Sequence, residues 1–486
     1  MDFLIGLDIG TTHIKAIALD DDGQLLAHAG RENQSSSPLP GQMEQDPEAI
    51  FQNVCAVLRE AYEKSQTNGK SRLRGVSFSS AMHSLLATDE AGQPLTQAWL
   101  WSDLRATVLA ERLRRDPHWQ GFYHETGTPL HPMSPAVKLA WLSENDPALL
   151  RRARKFLGIK EFLFQKIFGK AICDRSVASA TGLMHTRTGQ WHAPVLEAIG
   201  LRESQLPFLV ENIDVKILGK EQTSWLHLPE GTPFVVGASD GALANLGSEA
   251  VGPETLAVTI GTSAAVRVCL PEAYFEKQGR TFCYRLDGQN FIVGGASNNG
   301  GNVLDWLSKS LFSNELRRTP DLLALAETVP PGADGLLFLP YVFGERAPLW
   351  EPAAKPTFVG ENARHSAAHR VRAALEGVIF NLRLIAEMLP KPDQIRRIHA
   401  SGGFVRSRFW VQVLADVFGL PVRIPADDLV DASARGAVMV GRKALKKSDL
   451  PPVVFAETIN PNMGNKARYD EIFARFKRHV FGHLPM

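Results

Sequence analysis

Two mostly apolar runs, residues 4–9 and 14–19, begin the hydrophobic pattern of the chain. The residues between them are glycine, threonine and histidine, and an Asp-Asp-Gly sequence follows the second run. Apolar runs of this length, bounded by turn residues, predict two β-strands joined as a hairpin. Asp8 interrupts the end of the first run. A carboxylate at this position belongs either to an ordinary hairpin or to a ligand site, and the stretch alone leaves both interpretations open.

Helical patterns occupy much of the remaining chain. Asp46 and Pro47 suit the N-cap and the first turn of a helix, and apolar residues recur every three or four positions after them. Residues 101–170 are predicted to be mostly helical, and residues 409–417 form an amphipathic segment. A similar pattern at residues 469–480 predicts a closing helix. Strands that alternate with helices indicate an α/β protein.

A short motif occurs twice in the chain. The tetrapeptide IGTT at residues 9–12 recurs as IGTS at residues 260–263, and each copy lies between two β-rich runs. The shared context, separated by about half the chain, predicts two similar domains that face each other. Two unrelated hairpins with common turn residues are the alternative. Asp8 in the first copy corresponds to Thr259 in the second, so only the first loop would bring a carboxylate to a metal beside a polyphosphate.

Two further loops follow apolar strands. Asp240 comes directly after the apolar stretch 233–239 and has small neighbours, so its carboxylate could accept a proton from a substrate hydroxyl. Capping of a helix that begins near Ala242 is the alternative. Gly402 and Gly403 lie between a predicted strand and the amphipathic segment, where the backbone could approach a nucleotide closely or simply form a turn.

Composition excludes several classes of protein. The chain has 486 residues, a length that predicts two or three domains. Its 53 basic and 52 acidic side chains nearly balance, which gives no electrostatic reason to expect nucleic acid or a membrane as partner. The four cysteines form no CxxC motif, so neither a zinc nor a redox site is indicated. The N-terminus lacks the pattern of a signal peptide, and no apolar run reaches the length needed to cross a bilayer. We expect a cytoplasmic protein.

Taken together, these stretches resemble the FGGY carbohydrate kinases, which belong to the actin–hexokinase–chaperone ATPase superfamily. The segment MSPAVKLAWLSEN at residues 133–145 fits the first signature of the family at every constrained position. The second signature, around residues 356–376, is matched poorly because Glu361 and Arg370 stand at normally apolar positions. The other landmarks occur in order: DIGTT at 8–12, GASDG at 237–241, TIGTS at 259–263, GERAPLW at 344–350 and SGGFVRS at 401–407.

The resemblance implies an α/β fold with two RNase H-like domains, as in the actin/hexokinase superfamily. Each domain would have a mixed β-sheet flanked by helices, and the active site would lie in the cleft between the domains. The predicted N-terminal domain, residues 1–247, would bind the sugar and phosphate. The predicted C-terminal domain, residues 248–486, would bind the nucleotide.

Within the family, several stretches are most similar to the bacterial gluconate kinases. The resemblance therefore implies transfer of the ATP γ-phosphoryl group to a primary hydroxyl of D-gluconate, with Mg²⁺ as the metal. Xylulose kinases also carry a Met-His pair and a GER-P loop, and they are the main alternative. Glycerol kinases typically have Arg-Glu at the positions of Met82 and His83. The expected partner is a small sugar or sugar acid, and a homodimer is one expected assembly.

The resemblance also implies roles for individual residues. Asp240 is expected to act as the catalytic base and, together with Asp8, to face the metal. Contacts with phosphate and nucleotide are expected from Gly10, Thr11, Thr12, Gly261, Thr262, Ser263, Gly301, Gly402, Gly403 and Arg406. Contacts with the sugar are expected from Met82, His83, Trp101, Asp103, Arg105, Met133 and Asp240.

Several of these residues have an ordinary structural alternative. Asp103 could cap a helix that begins near Leu104, and Trp101 could pack in the core. Lys15 is expected to be structural or exposed to solvent rather than to reach phosphate. Arg406 could equally stack on adenine or be an ordinary exposed arginine at the start of a helix. A sugar sensor without catalytic activity would be expected to lack Asp8 or Asp240. Both are present, so an enzyme is favoured.

Gluconate adds one physical requirement, because burial of an unpaired carboxylate is costly. A cation should meet it, ideally an arginine with two parallel hydrogen bonds. The sequence does not choose among the candidates Arg105, Lys160, Arg346, His83 and His131.

Overall fold

The computed structural model describes residues 1–66, 71–312, 318–426 and 431–482. The strands of the first half are β1 (Asp2–Ile9), β2 (His13–Asp20), β3 (Leu25–Glu32), β4 (Glu44–Gln45), β5 (Arg72–Ser80), β6 (Leu86–Thr88), β7 (Ala98–Trp99), β8 (Lys155–Leu157), β9 (Ile172–Asp174), β10 (Met184–His185), β11 (Gln190–Trp191), β12 (Phe208–Val210), β13 (Val215–Ile217) and β14 (Pro233–Ser239). Those of the second half are β15 (Thr255–Ile260), β16 (Ala264–Leu270), β17 (Phe282–Arg285), β18 (Phe291–Ser297), β19 (Leu337–Leu339), β20 (Thr357–Val359), β21 (Arg397–Ser401), β22 (Val422–Pro425) and β23 (Phe455–Ile459).

The helices lie mostly between these strands. They are α1 (Pro47–Ser65), α2 (Thr107–Arg114), α3 (Pro117–Thr126), α4 (Pro135–Asn145), α5 (Pro147–Arg152), α6 (Ile159–Phe168), α7 (Arg175–Ser179), α8 (Ala193–Ile199), α9 (Lys220–Leu226), α10 (Asp240–Gly247), α11 (Asn302–Leu311), α12 (Thr319–Glu327), α13 (Ala367–Ala386), α14 (Arg408–Phe418), α15 (Ala432–Ala444) and α16 (Met463–Phe481). None of the helices in the described residues is long and apolar enough to span a bilayer.

Two large mixed sheets share one arrangement of strands. The first has the order β13-β14-β5-β1-β2-β3 and the second the order β17-β18-β16-β15-β21-β22-β23. In each sheet an antiparallel hairpin, β1–β2 or β15–β16, is joined through its first strand to two parallel strands, β5 and β14 or β21 and β22. The predicted fold class of two domains with mixed sheets flanked by helices is confirmed.

The repeated motif forms the turn of each hairpin, and the registers place corresponding residues side by side. Asp8 on β1 lies opposite Ser79 on β5, and Thr259 on β15 lies opposite Ser401 on β21. Ser79 Oγ donates a hydrogen bond of 2.6 Å to Asp8 Oδ1, and the hydroxyl oxygens of Thr259 and Ser401 are 2.9 Å apart. The two halves therefore repeat a side-chain pair, with an acid in the first and a hydroxyl in the second.

Helix starts decide between two of the alternatives raised by the sequence. Asp46 caps α1 as predicted, because its carboxylate accepts hydrogen bonds from two backbone N–H groups of the first turn. Asp240 is the first residue of α10 and the N-cap position is Ser239, so the capping interpretation of Asp240 is wrong. Capping by Asp103 is wrong as well, since α2 begins at Thr107 with Ala106 at its N-cap.

Helices α10 and α15 cross at very close range. A Cβ atom on Gly436 would lie 2.1 Å from the carbonyl oxygen of Leu243, so only glycine allows this approach. Helix α15 also packs on the first sheet, where Ala434 and Val438 join an apolar cluster with Leu4. Residues of the predicted C-terminal domain thus cover the sheet of the N-terminal half, and the boundary at residues 247–248 stays a prediction.

The bend in β14 that leads to Asp240 requires glycine at position 237. The register against β5 shifts between Val235 and Ala238, and Gly237 has φ +70°. A Cβ atom there would lie 1.7 Å from the carbonyl oxygen of Phe78. Glycine at this position therefore allows β14 and β5 to pack closely directly before Asp240.

We predict that Gly237→Ala destabilises the protein far more than Gly231→Ala does. Gly231 also has a positive φ, +79°, but a Cβ atom there would have no neighbour within 4 Å. Backbone strain alone should cost about 1 kcal/mol at Gly231, and the clash should add about 2 kcal/mol or more at Gly237. Urea unfolding followed by circular dichroism measures both, and equal losses for the two variants would contradict this account.

Candidate active site

Three glycine-containing segments of the second half meet at the end of β15. The backbone N–H of Gly301 donates to the carbonyl oxygen of Gly261 at 2.7 Å. Gly402 has φ +95°, and a Cβ atom on it would lie 2.5 Å from the carbonyl oxygen of Ile260. Together they border a cavity of about 790 Å³. Of the residues predicted to bind nucleotide, those that line this cavity are Gly261, Thr262, Gly301, Gly403 and Arg406.

The corresponding turn of the first half lies between β1 and β2. The Gly10 N–H donates to the carbonyl oxygen of His13 at 3.0 Å, which closes the turn and leaves Thr12 exposed at its tip. The hydroxyl of Thr11 accepts a hydrogen bond of 3.3 Å from the Trp101 indole N–H. The ring centroid of Trp101 in turn lies 4.4 Å from the guanidinium carbon of Arg346. This chain of contacts joins the first turn to a loop of the second half.

Three carboxylates converge beside these turns. Burial, together with the negative charges of Asp431 and Asp240, raises the pKa of Asp8 to about 8, although the hydrogen bond from Ser79 opposes this shift. Burial also raises the pKa of Asp240, although the Gly241 N–H and the charge of Arg267 counteract it. The site is therefore rich in negative charge that the protein compensates only in part.

Asp431, which the sequence analysis missed, is the N-cap of α15. Its carboxylate accepts a 3.1 Å hydrogen bond from Lys15 Nζ, and the lysine side chain remains 40% exposed. Lys15 thus has the structural contact that was predicted for it. The only sequence signal for Asp431 was an acid before a helical pattern, which is common in any protein.

A divalent cation fits this group of residues. Carboxylates held close together in a buried site are unfavourable unless a cation offsets their repulsion. Within the described ranges no three His, Cys, Asp or Glu side chains are close enough together to hold a metal by themselves. Mg²⁺, the metal that the resemblance implies, usually retains water and takes further oxygens from phosphate.

Arg267 is a second residue that the sequence analysis missed. It lies on β16 and is 8% exposed. Its Nε donates to Asn245 Oδ1 and its Nη2 donates to Thr259 Oγ1, each at 3.0 Å. The guanidinium therefore joins α10 to the pair of hydroxyls at the end of β15, and its charge acts on Asp240. An arginine inside the apolar run AAVRVCL was the available signal.

Family comparison decides the class of protein. The model for the N-terminal domain of the FGGY family of carbohydrate kinases matches residues 3–247, and the model for its C-terminal domain matches residues 256–445. The chain belongs to the FGGY family of carbohydrate kinases. It is therefore an ATP-dependent carbohydrate kinase.

Individual relatives agree with this class. The kinase is 37% identical over 458 residues to the gluconokinase of Bacillus subtilis (strain 168), which covers 92% of this chain and 88% of the relative. The ligand-bound xylulose kinase from Lactobacillus acidophilus has a TM-score of 0.93 and 31% identity, covering 100% of this chain and 99% of its own. The gluconate kinase from the same species has a TM-score of 0.93 and 30% identity, covering 99% of each chain. The predicted family is confirmed. The two solved structures are named for different sugars, one for xylulose and the other for gluconate.

Met82 and His83 of the kinase lie where the two domains face each other. The Met82 Cε atom is 3.4 Å from the position of a Cβ atom on Gly241, directly after Asp240. His83 has a positive φ of +70°, a conformation that is unusual outside glycine, and its carbonyl oxygen accepts a 2.7 Å hydrogen bond from the buried Lys138 Nζ. The structure thus holds the predicted Met-His pair beside Asp240.

Asp103 and Arg105 lie beneath the surface instead of facing an open space. Asp103 is fully buried, and its carboxylate accepts hydrogen bonds from the Met43 N–H at 2.8 Å and from Arg105 Nε at 2.8 Å. Arg105 also pairs with Glu44 and stacks on Trp99, 3.9 Å from the ring centroid. This geometry favours support of the loop over contact with a sugar, and the sugar contact stays a prediction.

Met133 and the remaining predicted residues have simpler surroundings. Met133 is 2% exposed and packs in the apolar cluster of the second domain, so its side chain contributes to the core. Ser263 accepts a 2.9 Å hydrogen bond from the Gly261 N–H through its carbonyl oxygen, which closes the second turn. Lys160 is fully buried and pairs with Asp174 at 2.5 Å, so this cation is already neutralised.

We predict that Asp8→Asn raises the stability of the kinase when nucleotide is omitted and metal is removed with EDTA. The pKa of Asp8 is about 8 in the folded protein against an ordinary value of 3.8, so its ionisation opposes folding. The cost begins above pH 4 and grows until about pH 8. The gain in melting temperature should therefore be larger at pH 8 than at pH 5.

Asp2→Asn is a matched control on the same strand. Its hydrogen bond with Arg74 lowers the pKa of Asp2, so the ionised form favours folding throughout pH 5–8. This variant should lose a little stability at both pH values. A melting temperature of Asp8→Asn at or below that of the wild type at pH 8 would contradict the account of the acidic site.

Proposed function

We propose that this kinase transfers the γ-phosphoryl group of ATP to the primary hydroxyl of D-gluconate and produces 6-phosphogluconate. The observation that carries the proposal is the position of the half-buried Asp240, which lies beside the Met-His pair and within range of the charge of Asp8 at the first hairpin turn. The relative named gluconokinase, at 37% identity over most of both chains, supports the choice of sugar. Xylulose remains the second candidate because a xylulose kinase is an equally similar structure.

Asp240 is proposed as the base that accepts the proton of the attacking hydroxyl. It lies at the N-terminus of α10 next to Gly241 and Met82, where a sugar could approach it without steric hindrance. In phosphoryl transfer the protein mainly positions the reactants and stabilises charge, so a base that receives the proton late is sufficient. The positive charge of Arg267 favours the ionised form of this carboxylate.

The nucleotide would span the two turns. Thr11 and Thr12, together with backbone N–H groups near Gly10, are proposed to bind the phosphates from the first domain, and Thr262 and Ser263 from the second. The cavity of about 790 Å³ beside Gly301 and Gly403 is large enough for the adenosine portion. Asp8 would hold Mg²⁺ through water, and the ion would supply charge neutralisation of the phosphates.

We predict that gluconate is the best acceptor in a panel with xylulose, ribulose and glycerol. An ADP-release assay at fixed ATP and Mg²⁺ gives kcat/KM for each sugar. We expect gluconate to exceed every other member by at least about tenfold, which corresponds to roughly 1.4 kcal/mol of transition-state binding. Highest turnover with xylulose would assign the kinase to the second candidate instead.

We predict that Asp240→Asn lowers kcat by about 10³-fold or more while ATP binding survives. The amide keeps the size of the side chain but cannot accept the proton, and general-base contributions are typically 10²–10⁴-fold. Turnover comes from the ADP-release assay and ATP affinity from calorimetry. Asp305→Asn, a change on α11 beside the nucleotide cavity, serves as a control for an altered acid outside the base position. Near-normal turnover of Asp240→Asn would remove this residue from the role of base.

A further inference from the structure

Four buried polar atoms without a hydrogen-bond partner belong to Arg346 itself or to side chains that interact electrostatically with it. They are Arg346 Nε, Tyr284 OH, His83 Nδ1 and His131 Nε2. The rings of His83 and Tyr284 are 5.9 Å apart, and the charge of Arg346 acts on the tyrosine and on both histidines. Buried polar groups in native proteins are nearly always hydrogen-bonded, so several unsatisfied groups in one region indicate a polar ligand.

The guanidinium of Arg346 is fixed in place but not neutralised. It is 9% exposed, it stacks on Trp101, and its Nη2 donates to the carbonyl oxygen of Ser297 at 3.1 Å. The neighbouring acid, Glu345, accepts hydrogen bonds from Ser297 Oγ, from two asparagine side chains and from backbone N–H groups. In the described part of the chain no carboxylate forms an ion pair with Arg346. The charges of Glu345 and Asp240 act on Arg346 and favour its charged form, but neither carboxylate forms a direct ion pair with it.

The other four candidate cations differ from Arg346 in this respect. Arg105 pairs with Asp103 and Glu44, and Lys160 pairs with Asp174. Both histidines are neutral near pH 7, because burial lowers the pKa of His83 to about 3 and lowers the pKa of His131 well below its usual value. Burial lowers the pKa of Arg346 only to about 10, so its charge persists. Among the five candidates, Arg346 alone is charged without a carboxylate partner.

The surrounding groups provide further hydrogen bonds to an anion. Nδ1 of His131 accepts a hydrogen bond from the Met133 N–H at 3.2 Å, so the proton of the neutral ring is on Nε2, which becomes a donor. Burial raises the pKa of the Tyr284 hydroxyl, which therefore stays protonated and is also able to donate. Arg346, Tyr284 and His131 are thus three donors around one region, whereas the free Nδ1 of His83 suits a sugar hydroxyl.

We propose that Arg346 binds the carboxylate of a sugar acid, with Tyr284 and His131 as additional donors, and that this subsite selects the acid over neutral sugars. The proposal rests on the function proposed above. The charge of Arg346 also acts on Asp240, so the two side chains lie within electrostatic range of each other. The sugar chain would extend between them, with the reacting hydroxyl at Asp240 and the acid group at Arg346.

The test compares D-gluconate with D-glucitol, which has a hydroxymethyl group in place of the carboxylate. Arg346→Met keeps a long side chain over Trp101 but removes the charge. We expect kcat/KM for gluconate to fall about 100-fold, as is usual when one partner of a buried charge pair is removed. The value for glucitol should change less than threefold. Tyr284→Phe should reduce the preference for gluconate by a smaller factor, about tenfold, because it removes one neutral donor.

Arg114→Met is the matched control, since Arg114 also supports this loop. Its guanidinium donates to the carbonyl oxygens of Leu130 and Trp350 and does not belong to the unpaired group. This variant should keep the ratio of gluconate to glucitol within twofold of the wild type. If Arg346→Met does not fold, as judged by circular dichroism and ATP binding, Tyr284→Phe carries the test, and an unchanged ratio in that variant overturns the proposal.

The outcomes separate this inference from the proposed function. If the wild-type kinase prefers xylulose, the proposed function fails before any variant is made. If gluconate is preferred and Arg346→Met retains that preference, the subsite proposal fails and the proposed function stands. An equal loss of kcat for gluconate and glucitol would assign Arg346 to the transferred phosphoryl group, which also overturns the proposal.

Discussion

Repulsion between one buried and two half-buried carboxylates is the interaction on which the electrostatics of this cleft depend. Asp8, Asp240 and Asp431 lie at the end of β1, the start of α10 and the start of α15, so three separate elements must be packed correctly to bring them together. The protein offsets this repulsion only in part, through Ser79, Lys15 and the backbone at Gly241. A site of this kind favours the binding of a cation accompanied by phosphate.

Two buried arginines of the second domain bring positive charge to the cleft. Arg267 on β16 and Arg346 in the loop after β19 are both buried, and the charge of each acts on Asp240. The acids belong to elements that cover or form the first sheet. Asp240 therefore lies within range of both signs of charge, and its ionisation depends on the balance between them.

Local patterns predicted the parts of the fold that depend on local physics. The two hairpin turns, the start of α1 at Pro47 and the closing helix α16 all have signals within a few residues of the chain. The local signals of Asp431 and Arg267, an acid before a helix and an arginine in an apolar run, do not reveal their roles, because these come from burial and from partners far away in sequence. Asp103 shows the opposite case: it lies in a matching motif, yet its carboxylate is occupied by Arg105 and Met43.

Selectivity for an acid needs more than Arg346 alone. An isolated arginine could donate equally well to the carbonyl oxygen of a ketose. What differs is how many further donors surround the same point and whether any anion of the protein competes for the guanidinium. The carboxylate of Glu345 already accepts hydrogen bonds from other groups and forms no ion pair with Arg346. Tyr284 and His131 add neutral donors. A neutral sugar would leave the charge of the arginine uncompensated, whereas a carboxylate would satisfy it.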